Sequence, residues 1–226
     1  MENIYSGRGL SPATPSYRPH WPAAVRAGAH VVSFIFHPLF IPVYVYAFLA
    51  WVHPYAFAAV PQKRKIMLLM AVFFSTGFLP MFSVLLMKGL GFIQSIFLRT
   101  QRERIIPYAA AIIFYFWIWY VFRNLQDIPG SFVNFLLGSF LGVCAAWLFN
   151  IRNKISMHGT GVGGLMMYFL IRVQTAEDNT ALFLSAAILI TGLVCTARFI
   201  VSDHTRREVY SGLIAGMVCQ LIAWVI

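Results

Sequence analysis

Residues Ala181–Ile226 read ALFLSAAILITGLVCTARFIVSDHTRREVYSGLIAGMVCQLIAWVI. Two apolar runs, Ala181–Ile200 and Val209–Ile226, flank a short polar hinge, and each has the roughly 17 to 25 residues that a helix needs to cross a hydrocarbon core. The segment therefore reads as a membrane hairpin. Working outward, five more runs appear: Val31–Val52, Ile66–Met87, Pro107–Phe122, Gly130–Phe149 and Gly159–Val173. The third and fifth runs of the chain are short and borrow flanking polar residues. The whole chain is 60% hydrophobic and 11% charged, with a mean hydropathy of +0.74. Soluble domains carry about a quarter charged residues, so a soluble fold is excluded.

The expected fold is all-α: a polytopic transmembrane helical bundle of six or seven spans. Residues 1–30 read as a polar tail with Pro12, Pro15, Pro19 and Pro22, and residues 31–226 as a single transmembrane domain. The first apolar run lacks a small-residue cleavage pattern, so it is expected to remain as the first span rather than act as a signal peptide. Pro38, Pro42 and Pro80 lie inside runs, where neighbouring helices can satisfy freed backbone groups, so kinks rather than breaks are expected. Leu90–Leu98 is too short to span and is expected along the interface. Cys144, Cys195 and Cys219 lie in apolar runs without ligand spacing and read as packing residues.

The formal net charge of +10 points to lipid headgroups, topology signals and an anionic substrate, since no soluble basic module exists to hold nucleic acid. In a seven-span arrangement one side gathers twelve of the 17 cations: Arg8, Arg18, Arg26, Lys88, Arg99, Arg102, Arg104, Arg152, Lys154, Arg198, Arg206 and Arg207. Lys63, Arg64, Lys65, Arg123 and Arg172 fall on the other. The positive-inside rule puts the richer side in the cytoplasm, but Arg99, Arg102, Arg104 and Arg198 inflate that count if they bind an anion, so the cytoplasmic and the periplasmic face both stay open for it. Three polar constellations share it, each two spans from the next: Arg99 to Pro107, Lys154 to Gly164, and Arg198, His204 and Glu208. If a helix starts near Thr205, Glu208 turns back toward His204, giving an oriented nucleophile beside an anion clamp. Ionisable groups at the mouth of a span are costly to keep and mark a candidate site.

On these residues the chain resembles the type 2 phosphatidic acid phosphatase superfamily, which includes the vanadium haloperoxidases. Its third motif, S-R-x5-H-x3-D, is matched by Ala197-Arg198-x5-His204-x3-Glu208, with spacing kept, Ala for Ser and Glu for Asp. The second, P-S-G-H, is matched by Ile155-Ser156-Met157-His158, which keeps the serine and histidine. For the first, K-x6-R-P, Arg104 and Pro107 are displaced counterparts of R-P, with Arg99 or Arg102 in place of the lysine. The resemblance covers about residues 99–216. It implies a phosphatase-like helical core in a bacterial inner membrane, and a metal-independent hydrolase of a lipid phosphate or diphosphate. His204 would be the nucleophile, Glu208 its orienting carboxylate and His158 the proton donor. Arg198, Arg104 and one of Arg99 or Arg102 would clamp phosphate oxygens, and Ser156 with the amides from Met157 to Gly159 would complete an anion cradle. No cofactor is implied, and the partners are membrane lipids and the substrate.

Simpler readings stand beside these. Arg99, Arg102 and Arg104 serve equally as positive-inside anchors. Gly163, Gly164 and the pair Gly212 and Gly216 read as close-packing positions. His37 and His53, each followed by proline, read as structural, and the run Phe114 to Tyr120 as a lipid-facing surface. Other functional classes are a non-catalytic lipid-binding or transport protein of the same fold, a lipid phosphotransferase, and, more remotely, a zinc hydrolase built from His158, His204, Asp203 and Glu208.

Overall fold

The structure, a computed structural model, describes residues 21–96, 101–152, 154–175, 181–201 and 204–226. Arg99 and Asp203, both candidates above, lie outside the described residues, as do most of the proline-bearing tail and the side chain of Arg102. The described residues form nine α-helices and no strand: α1 (Ala23–Ile35), α2 (Ile41–Ala47), α3 (Gln62–Val72), α4 (Leu79–Gly89), α5 (Gln101–Arg123), α6 (Gly130–Arg152), α7 (Met157–Thr175), α8 (Ala181–Val201) and α9 (Arg206–Val225). Short 3-10 and π segments join α1 to α2 and α3 to α4, so these four helices make two long membrane segments.

Among the described residues, six segments are long and apolar enough to cross a membrane: Ala23–Val52, Gln62–Gly89, Glu103–Arg123, Gly130–Ile151, Ala181–Val201 and Arg206–Val225. The protein is therefore an all-α, polytopic membrane protein. The remaining helix, α7, has 19 residues, about 28 Å at 1.5 Å per residue, and occupies the middle of the bundle. It packs on α6, α8 and α9 and buries Gly159, Thr160, Val162, Gly163, Leu165, Tyr168, Phe169 and Ile171. Surrounded by protein, it has no need of an apolar outer face, which is why a hydropathy reading leaves it short.

The α7–α9 contact is the closest in the molecule, and glycines make it possible. A Cβ on Gly159 would lie 2.6 Å from the Val209 carbonyl oxygen, and one on Gly212 would lie 2.5 Å from the Ser156 carbonyl oxygen. At Gly163 and Gly216 the obstructing atoms are the backbone oxygens of Leu213 and Thr160. Two glycine pairs at four-residue spacing thus bring two backbones together, as small-residue stripes do in membranes. Gln220 extends the stripe by one turn, with its buried carboxamide donating to the Asn134 carbonyl on α6 at 3.3 Å.

Two sequence expectations are corrected here. Helix α1 begins at Ala23, so the last eight residues assigned to the tail are helical. At Pro38 the first segment is broken rather than kinked: α1 stops at Ile35, His37 is extended (φ −64°, ψ 135°), and a 3-10 turn, Pro38–Phe40, precedes α2. The cause is steric, because a proline ring disfavours helical ψ in the preceding residue. Near Pro80 the chain stays helical after the π segment Phe73–Phe78. Residues 90–96, within the stretch expected along the interface, form turns and bends. Gly91, at φ 80°, ends α4 while Phe92 N–H bonds Met87 O and Gly91 N–H bonds Lys88 O, a Schellman closure. In the aromatic run of α5, Trp117 is 60% exposed on the outer surface, as expected, whereas Tyr115 is only 3% exposed and faces inward.

The end opposite the three constellations is tied by its own cations. Arg64 Nε donates to Asp127 at 2.8 Å, Lys65 Nζ to the Ala50 carbonyl at 3.0 Å, and an Arg172 amino group lies 2.9 Å from His53 Nε2. The Arg123 guanidinium is stacked 5.1 Å from the Trp119 ring. These residues fasten segment ends at that face.

Candidate functional site

Helix α9 opens with Thr205 as its cap, and the sequence Thr205-x-x-Glu208 forms a reciprocal capping box. Thr205 Oγ1 accepts the Glu208 N–H at 3.3 Å, and Glu208 Oε2 accepts the Thr205 N–H at 3.1 Å. The same oxygen accepts the His204 Nδ1–H at 2.8 Å. One carboxylate therefore starts the helix and fixes the imidazole tautomer, leaving the proton off Nε2. The His204 side chain is only 8% exposed. Burial lowers its basicity below the ordinary histidine value, the bond to Glu208 opposes this, and the charges of Arg198 and Arg104 lower it further. Together these favour the uncharged ring, with its proton on Nδ1.

Arg198, in the last turn of α8, and Arg104, in the first turn of α5, lie near enough to repel one another, and the field of both reaches His204. Arg104 also approaches the Tyr108 hydroxyl one turn along α5. Three chain regions that are remote in sequence thus converge at one end of the bundle.

His158 stands in the first turn of α7, close enough to Arg198 and His204 to feel both. Its Nε2–H donates to the Ser33 carbonyl oxygen on α1 at 3.0 Å. That carbonyl is available because the break at Pro38 diverts the His37 N–H to Phe34 O. The two histidines are thereby held alike, each with one ring nitrogen tied to an acceptor oxygen. Sequence reasoning did not find the α1 contribution, and it left His37 outside the site. The His37 ring meets the His158 ring edge-to-face, with centroids 5.0 Å apart.

The anion cradle read at Ser156 and Gly159 takes a different form. Ser156 is fully buried, its hydroxyl accepts the Gly159 N–H at 3.3 Å, and its own N–H donates to the Glu208 carbonyl at 3.0 Å. With Gly159 pressed on Val209, both residues start α7 and join it to α9. Met157 packs between the groups around Tyr108 and Tyr115. These three residues thus fix the start of α7, and with it His158, against the start of α9.

No family model, curated protein or solved structure matches the chain. The functional reading therefore rests on the geometry of the site and on the motifs themselves.

Proposed function

We propose that the protein is a membrane phosphatase that hydrolyses a lipid phosphate or diphosphate through a phosphohistidine. The observation that carries this reading is the His204–Glu208 pair, a buried imidazole whose Nδ1–H is bound by a carboxylate in the field of two arginines. His204 Nε2 attacks phosphorus, an N–P bond forms, and the P–O bond to the lipid breaks. His158 takes up a proton together with the anionic substrate and gives it, from Nδ1, to the departing oxygen while Nε2–H stays on the Ser33 carbonyl. Glu208 stabilises the positive charge that develops on His204, as a buried carboxylate does for a catalytic histidine. Arg104 and Arg198 hold the equatorial oxygens, where guanidinium geometry suits a trigonal bipyramid. In the second half, His158 removes a proton from water, water attacks phosphorus, the N–P bond breaks, and phosphate leaves. A lipid alcohol in place of water would make the same first half-reaction a phosphotransfer.

The membrane supplies the substrate class. Around the bundle, large apolar side chains such as Ile113, Leu189 and Ile214 face outward, and the candidate site lies at one end of the same segments. A phosphate carried on an apolar chain would reach the arginines without leaving the bilayer. Orthovanadate, which adopts the five-coordinate geometry of the attacked phosphorus, is expected to inhibit phosphate release by the purified protein, and EDTA is expected to leave it unchanged. Loss of activity on chelation, restored by zinc or magnesium, would replace this reading with metal-assisted hydrolysis.

A further inference from the structure

His37 is held in the site by the break in the first membrane segment. Pro38 forces it out of the helix, and its Nδ1 then accepts the Leu39 N–H at 3.4 Å, capping the 3-10 turn. An accepting Nδ1 places the proton of the neutral ring on Nε2. That Nε2–H has no hydrogen-bond acceptor among the described residues, and the ring lies against His158 and within the field of Arg198. His37 is only partly buried, so this donor is open to a ligand. The break is also built into the packing. A Cβ on Gly161, one turn into α7, would lie 3.0 Å from Pro38 Cβ, so the absence of a side chain there is what lets the turn approach. An apolar cavity of about 50 Å³, lined by Pro38, Leu39, Met157 and Gly161 among others, adjoins it. Irregular backbone within a membrane segment is tolerated where it lines a cavity or is enclosed by protein, and this one carries an imidazole to the edge of His158.

We propose that His37 is a phosphate-binding residue whose Nε2–H donates to a non-bridging oxygen of the bound phosphoryl group, so that the first membrane segment is part of the site. This inference rests on the phosphatase reading above. Two substitutions separate the ring nitrogens: His37→Asn keeps an acceptor near Nδ1 for the Leu39 amide and loses the Nε2 donor, whereas His37→Gln places an amide donor near Nε2 and loses the cap.

The test is calorimetric binding of orthovanadate to the full-length protein in detergent, with KM and kcat on a short-chain phosphatidic acid and thermal unfolding as companions. His37→Asn is expected to weaken vanadate binding about tenfold or more, in line with a hydrogen bond to a charged group, and to raise KM more than it lowers kcat. His37→Gln is expected to recover most of the loss, and unfolding of the Asn variant is expected to match the parent. Parental vanadate affinity in His37→Asn would overturn the proposal and leave the phosphatase reading intact. Equal impairment of both variants with a lowered unfolding temperature would overturn it in favour of a packing role. A parent protein that neither binds vanadate nor releases phosphate would overturn the underlying reading, and this inference with it.

Discussion

Replacing His204 or His158 with alanine is expected to lower phosphate release by more than about 100-fold, the ordinary contribution of positioned general acid catalysis or more. His204→Ala removes the nitrogen that bonds phosphorus, and the start of α9 survives because the Thr205 and Glu208 cap does not use the imidazole. His158→Ala removes the proton donor and leaves the Ser33 carbonyl without its partner, at a cost of about 1 kcal/mol in stability. The double variant should be scarcely worse than either single one, because groups that act on one step are not additive. Glu208→Gln points the same way. Glutamine also completes a capping box, so this change isolates the carboxylate charge from the helix start, and turnover should fall strongly at unchanged melting temperature. Near-parental phosphate release by either alanine variant would remove that histidine from the mechanism.

The largest effects on stability are expected at the α7–α9 contact. A methyl group at Gly163 or Gly216 would overlap the backbone carbonyl of Leu213 or Thr160, and neither obstruction can rotate away as a side chain would. The helices must separate, so Gly163→Ala and Gly216→Ala should each destabilise by about 1–3 kcal/mol or more, the usual cost of overpacking. Because the same contact carries the Ser156 N–H to Glu208 carbonyl bond, activity should fall with stability although Gly163 lies more than one turn along α7 from His158 and Gly216 about three turns along the chain from His204. Gly192→Ala on α8 is the control, since its added Cβ would meet nothing within 4 Å. It should be neutral, or stabilising by up to about 1 kcal/mol through helix propensity. Thermal unfolding in detergent distinguishes the three. Equal stability for all of them would refute a glycine-dependent interface.

Membrane segments were legible because span length and hydropathy are local properties, and each of the seven apolar runs maps onto one helical segment, the first of them broken at His37. The start of α9 was legible for the same reason: Thr205-x-x-Glu208 is a four-residue pattern whose hydrogen bonds close within one turn. Ser156 and Gly159 were harder. A serine followed three residues later by glycine serves equally as an anion cradle and as a cap against a neighbouring helix, and the packing against α9 that these two residues make is not written in the local sequence. His37 was not legible at all. The contact that brings its segment to His158 runs from Ser33 across 125 residues of sequence, and a histidine before proline carries no local mark of what its ring will face. Hydropathy likewise understated α7, because a helix enclosed by others is free of the demand that lipid places on the rest.

The central claim is a covalent one, that phosphorus passes through His204. It is tested most directly by mixing the purified protein with a lipid phosphate labelled with ³²P, quenching in alkali within milliseconds to seconds, and mapping the label by peptide. The expected result is an alkali-stable, acid-labile label on the peptide containing His204, present in the parent, enriched in His158→Ala if dephosphorylation slows more than formation, and absent in His204→Ala. Phosphate release by the parent with no protein-bound label at any quench time, or a label on the His158 peptide instead, would contradict it.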